Sequence, residues 1–152
     1  SHRTMKKLIG LFLLSTLFVG CKPYSDSDLA QFDAKIKAYE TSKQLDLETS
    51  PSGLHYKIIK GDGDRIIKQN DVIKVSYVGA LLDGTEFDKQ ATPIEFKVRE
   101  LIPAWKEALA EMAVGDSCIL LVPPNIGYKG EEKGEIPAHS ILHFNIKVHE
   151  AY

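Results

Sequence analysis

Apolar and polar side chains alternate along most of the chain from residue 54 onward. Leu54, Tyr56 and Ile58 share one face of an extended segment, with His55 and Lys57 opposite. Ile73, Val75 and Tyr77 alternate with Lys74 and Ser76, and Ile94, Phe96 and Val98 with Glu95 and Lys97. Leu142, Phe144, Ile146 and Val148 alternate with His143, Asn145, Lys147 and His149. A period of two sends successive side chains to opposite sides of a strand, so each run predicts a strand with one apolar face. Gly61-Asp62-Gly63-Asp64 and Asp83-Gly84 supply turns between them, the second of hairpin type. Cys118-Ile119-Leu120-Leu121-Val122 is a further apolar, strand-like run.

Two segments change period. Leu29, Phe32, Ile36 and Tyr39 recur at helical spacing, predicting a helix capped by Ser27 or Asp28 and ending near Ser42–Lys43. That stripe suits a second copy of the chain, but docking on its own domain, or fraying, is the plainer expectation. Thr49-Ser50-Pro51-Ser52-Gly53 reads as a linker, with the domain proper at 53–152. Pro103 to Met112 predicts a short helix with Trp105, Ala108, Leu109 and Met112 on one face and Gly115 as its stop. A one-faced sheet and a lone amphipathic helix can each bury their apolar side only against the other. The expected fold is therefore α+β: one short helix crossing one twisted antiparallel sheet, preceded by an N-terminal helix.

The first residues differ in kind. Met5-Lys6-Lys7 leads into an uncharged apolar run, Leu8 to Gly20, which is too short for a membrane-crossing helix of about 20 residues and has the layout of a secretory signal over 5–20. Leu17-Phe18-Val19-Gly20-Cys21 resembles a bacterial lipobox, which implies lipidation at Cys21, a tether over 21–52, and a place in the cell envelope facing the periplasm or exterior. Phe18 stands where Leu is usual. Residues 1–4 precede the start-like Met5 and read as a non-native extension.

Composition narrows the rest. The net charge is −2, and three of the basic residues (Arg3, Lys6 and Lys7) fall within the first 21, so the body is acidic and ill suited to nucleic acid. Two cysteines exclude a disulfide scaffold. With Cys21 committed to lipid, Cys118 is expected to be a small buried hydrophobe. No phosphate loop, serine elbow or zinc cysteine pair occurs, and no cofactor or metal is expected. His139 and His143 lie at or in a strand, where four residues span roughly 13 Å, and are expected to face solvent. What stands out is aromatic: Phe87-Asp88 after a turn, Trp105 at a helix start and Tyr128 in the loop 125–130. Such residues line either an apolar cleft with a few polar tips or simply a core rich in aromatics.

The order of these residues resembles FKBP-type peptidyl-prolyl cis/trans isomerases. Val75-Ser76-Tyr77-Val78-Gly79-Ala80-Leu81-Leu82-Asp83-Gly84-Thr85-Glu86-Phe87-Asp88 is similar to the family's first signature. Leu101-Ile102-Pro103-Ala104-Trp105-Lys106-Glu107-Ala108-Leu109 resembles the second. Gly127-Tyr128 and Ile136-Pro137-Ala138-His139-Ser140-Ile141-Leu142-His143-Phe144 resemble the third. The resemblance implies a half-barrel sheet wrapped around the short helix. It implies a pocket walled by Tyr77, Phe87, Phe96, Leu101, Ile102, Tyr128, Ile136 and Phe144, floored by Trp105, with Asp88 as its polar member. There are departures: Ala104 precedes the Trp in place of Gly, Gly127 and Lys129 flank Tyr128 in place of Ala and Gly, and Ala138 replaces a second Pro. The stretch from Asp88 to Phe96 is also short for a bacterial member.

The implied activity needs no nucleophile. Twisting an X-Pro amide loses resonance, a barrier of roughly 18–20 kcal/mol, and an apolar, water-poor pocket favours the less polar twisted amide. In the family's scheme the proline ring lies on Trp105, the Ile102 backbone N–H and the Tyr128 hydroxyl donate to substrate carbonyls, and Asp88 polarises the site. The implied partners are X-Pro-containing folding proteins, with macrolides as possible ligands and the membrane reached through the lipid anchor. The rival expectation is a proline-peptide-binding chaperone or complex subunit that keeps the cleft and turns over little.

Overall fold

A computed structural model describes residues 23–152; the expected signal run and Cys21 lie outside them. The chain begins with helix α1 (Asp26–Ser42) and continues into strand β1 (Glu48–Thr49) and strand β2 (His55–Ile59). Strand β3 (Val72–Leu81) turns at Gly84 into strand β4 (Glu86–Lys97), and a 3₁₀ turn, Val98–Glu100, leads to helix α2 (Pro103–Leu109). Strand β5 (Ser117–Val122), a long loop and strand β6 (Leu142–Ala151) complete it. All strand pairs are antiparallel, in the order β1-β2-β5-β6-β3-β4. This is the expected open sheet with one short helix on its concave side and an N-terminal helix.

The alternation fixes the inner face. Ile73, Val75 and Tyr77 of β3, Cys118, Leu120 and Val122 of β5, and Phe144, Ile146 and Val148 of β6 point into one core with Trp105, Ala108, Leu109 and Met112. Pro103 opens α2, where the missing N–H costs nothing because a first-turn amide has no partner within the helix. Gly115, at φ +94, then lets the chain reverse into β5.

The outer face carries the N-terminal helix, docked on its own domain as the plainer expectation had it, but its cap and the histidines beneath it depart from the expectation. Helix α1 docks on it through Phe32, Ile36 and Tyr39 against Leu121 and Ile141. Its cap is Ser25, not Ser27 or Asp28: the Ser25 hydroxyl accepts from the Asp28 amide while the Asp28 carboxylate accepts from the Ser25 amide. Docking buries histidines that alternation alone had turned to water. The His55 ring is enclosed, Nε2 facing Asp33 Oδ1 and Nδ1 facing Glu40 Oε2, each at 2.9 Å. His143 is half-buried beneath Tyr39, whose hydroxyl lies 2.9 Å from Nδ1. The sheet also starts before the linker ends, since β1 pairs with β2 through Glu48 and Thr49.

Candidate active site

The β3–β4 hairpin sets the first part of the site. Its register places Gly79 opposite Asp88, so Tyr77 and Asp88 meet inside the sheet, the Tyr77 hydroxyl donating to Asp88 Oδ2 at 2.6 Å. Gly79 was not singled out as a site residue from the sequence. A Cβ there would lie 2.7 Å from the Phe87 ring and 2.8 Å from Phe144, so the glycine admits both aromatics over β3. A glycine inside an alternating strand is the signal that marks such a close approach.

Trp105 enters from the first turn of α2. The Ile102 carbonyl accepts from the Trp105 and Lys106 amides at 3.1 and 3.2 Å, which holds the indole at the centre of the sheet's concavity. Three rings meet it edge to face: Tyr77 at 5.3 Å between centroids, Phe144 at 5.4 Å and Phe96 at 6.3 Å. Phe87 closes on Phe144 at 5.7 Å. The positive ring edge against the negative ring face makes each such contact favourable beyond the area it buries. Leu101, Ile102, Tyr128 and Ile136 are buried in the same cluster. The structure thus brings every expected pocket residue together, and the cluster reaches solvent chiefly at Phe87 and Phe96, 8% and 7% exposed.

Three polar atoms within this apolar cluster are buried without a hydrogen-bond partner: Asp88 Oδ1, the Tyr128 hydroxyl and Trp105 Nε1. Buried polar groups are normally paired, so three unpaired ones in one cluster mark a place built for something other than stability. Their ionisation follows the surroundings. Burial pushes the Asp88 carboxyl above the ordinary carboxylate range, with the Tyr77 hydroxyl opposing. Burial and the Asp88 charge both push Tyr128 upward, so it stays a neutral hydroxyl able to donate. Tyr77 is raised by burial and then by the hydrogen bond it donates to Asp88.

The remaining candidates separate from this cluster. Cys118 is buried, and its thiol is pushed up to about 12 by burial, then by Asp116, which leaves it no thiolate at neutral pH. His139 and His143 turn toward α1 and its cap rather than toward each other, His139 Nδ1 lying 2.7 Å from the Tyr24 hydroxyl. Lys129, beside Tyr128, holds the left-handed backbone (φ +55) that a glycine would adopt without cost.

Comparison with known proteins gives a consistent picture. A family model described as FKBP-type peptidyl-prolyl cis-trans isomerase matches residues 63–149. The FKBP-type peptidyl-prolyl cis-trans isomerase FkpA of Buchnera aphidicola is 38% identical over 75% of this chain and 47% of its own length. The same-named protein of Escherichia coli is 32% identical over 81% of this chain and 47% of its own. The crystal structure of the Escherichia coli FkpA superposes with a TM-score of 0.70 at 30% identity, covering 83% of this chain and 62% of that one. The chain spans about half the length of these curated relatives.

Proposed function

The chain belongs to the FKBP-type peptidyl-prolyl cis-trans isomerase family, and from that premise we propose that it catalyses rotation about X-Pro bonds of proteins folding in the bacterial cell envelope. The observation that carries the reading is the ring-lined cluster around Trp105 in which the Asp88 and Tyr128 oxygens are buried and unpaired.

The physics follows from the bond. A planar X-Pro amide is polar and resonance-stabilised; the twisted one has lost that resonance and much of its polarity. A site of aromatic rings is a poor solvent for the first and a better one for the second, so it lowers the barrier without making or breaking a covalent bond. The proline ring is assigned to the Trp105 face, between Tyr77, Phe96 and Phe144. Tyr128 donates to a carbonyl flanking the bond, and the Ile102 N–H does the same from the chain just before α2. Asp88 accepts from Tyr77 and fixes that ring, while its second oxygen remains available to the substrate backbone. Slow X-Pro isomerisation, tens to hundreds of seconds uncatalysed, is the folding step such an enzyme relieves.

Lipidation at Cys21 would hold the domain at a membrane surface; among the described residues no helix is long and apolar enough to cross one. Replacing Cys21 by Ser should release the protein from the bacterial membrane fraction, and a wild-type protein already free of that fraction contradicts the anchor. Activity is tested by a protease-free assay of the full chain on a short X-Pro peptide. Acceleration above buffer, abolished by a stoichiometric macrolide, is expected. Tight macrolide binding without acceleration would instead make the chain a proline-peptide-binding module.

A further inference from the structure

We propose that Tyr24, which precedes the domain matched by the family model, is a positioning residue for the site: through His139 it braces the loop that carries Tyr128 and Ile136. This rests on the role assigned to Tyr128 above.

The loop between β5 and β6 carries two wall residues but little regular structure. It is tied at its ends: the Lys129 amide donates to Pro124 O at 2.9 Å, the Glu131 amide to Tyr128 O at 3.1 Å, and the His139 amide to Lys129 O at 2.8 Å. The last bond closes one arm of the loop on the other directly beside Tyr128. Both of its residues have left-handed backbones, φ +55 at Lys129 and +59 at His139. That conformation disfavours side chains with a Cβ and persists only where the surroundings hold it.

One side of His139 is held from outside the domain. Tyr24 places its hydroxyl 2.7 Å from His139 Nδ1 and its ring edge-on to the imidazole at 5.7 Å. Tyr24 is itself backed by Phe32 of α1 at 5.1 Å, and α1 is fixed to the sheet through Ile36 and the carboxylates on His55. On its other side the imidazole lies against Gly130, where an added Cβ would come within 3.0 Å of Cε1. The path from α1 through Tyr24 and His139 to the Lys129 carbonyl is thus continuous, and it ends one residue from Tyr128.

The test uses the full chain. Tyr24→Phe keeps the ring on Phe32 and removes only the hydroxyl; His139→Asn removes the imidazole while keeping a residue type that tolerates the left-handed backbone. Each is expected to speed amide exchange over 128–139 by about threefold to tenfold, the factor one hydrogen bond carries, and to lower kcat/KM by a similar factor with KM changing less than kcat. In a Tyr128→Phe background, Tyr24→Phe should cost nothing further, because the brace acts through the hydroxyl already removed. Unchanged exchange in both variants overturns the brace. Faster exchange with full kcat/KM, or a loss that simply adds to that of Tyr128→Phe, overturns its positioning role. If Tyr128→Phe alone is fully active, the reading of Tyr128 has failed, and loop exchange alone then decides whether the brace exists.

Discussion

Three aspartates are buried among the described residues, and two of them, Asp116 and Asp88, are treated in opposite ways. Asp116, where the chain turns into β5, accepts from the Ala113 and Gly61 amides at 2.9 Å and from Lys60 Nζ at 3.1 Å. Burial pushes its carboxyl up, but the two amides and the Lys60 ammonium more than compensate and hold it below the ordinary range. Asp88, under the β3–β4 hairpin, has one firm donor, the Tyr77 hydroxyl, and an unpaired second oxygen; its carboxyl is held above the ordinary range. A carboxylate that ties a loop together has its hydrogen-bonding capacity filled. One kept half-filled in an aromatic cluster is a source of instability, which a protein retains where the free oxygen has a use.

The largest effect should come from removing the frame around Asp88. Trp105→Ala opens a cavity beneath three rings and is expected to cost about 3–5 kcal/mol in urea unfolding. Trp105→Leu, less disruptive, should remain folded and lose macrolide affinity; unchanged affinity would mean that the indole is only core.

Asp116→Ala comes next. It strands the Gly61 and Ala113 amides and should cost about 2–4 kcal/mol, with catalysis by the folded fraction unaltered. Asp88→Asn should move unfolding by no more than about 1 kcal/mol, since the replaced group was never fully paired. A larger stability loss at 88 than at 116 would reverse the comparison.

Acid separates the two further. The folded state binds a proton at Asp88 more readily than the unfolded chain does, so this group adds stability as pH falls through its raised folded value toward the ordinary one. Asp116 does the reverse: its contribution is present above the ordinary value and lost as pH falls through its lowered folded value. Asp88→Asn should therefore steepen the loss of stability from neutral to acid pH, and Asp116→Asn should flatten it, as read from urea midpoints across that range.

How much of this was legible in the residues depends on which face of the sheet is considered. The inner face follows from alternation: Val75, Tyr77, Phe144 and Ile146 point where a period of two sends them, and the three signatures place Asp88, Trp105 and Tyr128 in one cluster. The outer face was misread at His143, and the burial of His55 was not foreseen, because alternation marks a polar residue as solvent-facing unless something else covers it. What covers them is α1, and the stripe Phe32, Ile36 and Tyr39 was visible, but its docking position was not. The Ser25–Asp28 capping box was within reach of spacing alone, and its cap lay two or three residues earlier than expected. The Tyr24–His139 contact joins residues far apart in sequence through two side chains of no marked pattern, and only the folded chain brings them together.

In the proposed function the Asp88–Tyr128 pair acts on the twisted amide more than on the bound peptide. The deciding measurement compares wild type, Asp88→Asn and Tyr128→Phe in the catalysed rate on a short X-Pro peptide and in the affinity for a proline-rich ligand. Rate losses of about threefold to tenfold with affinity nearly unchanged are predicted, since only interactions stronger in the transition state speed the step. Parallel falls in rate and affinity, or a wild-type rate equal to buffer, would contradict it.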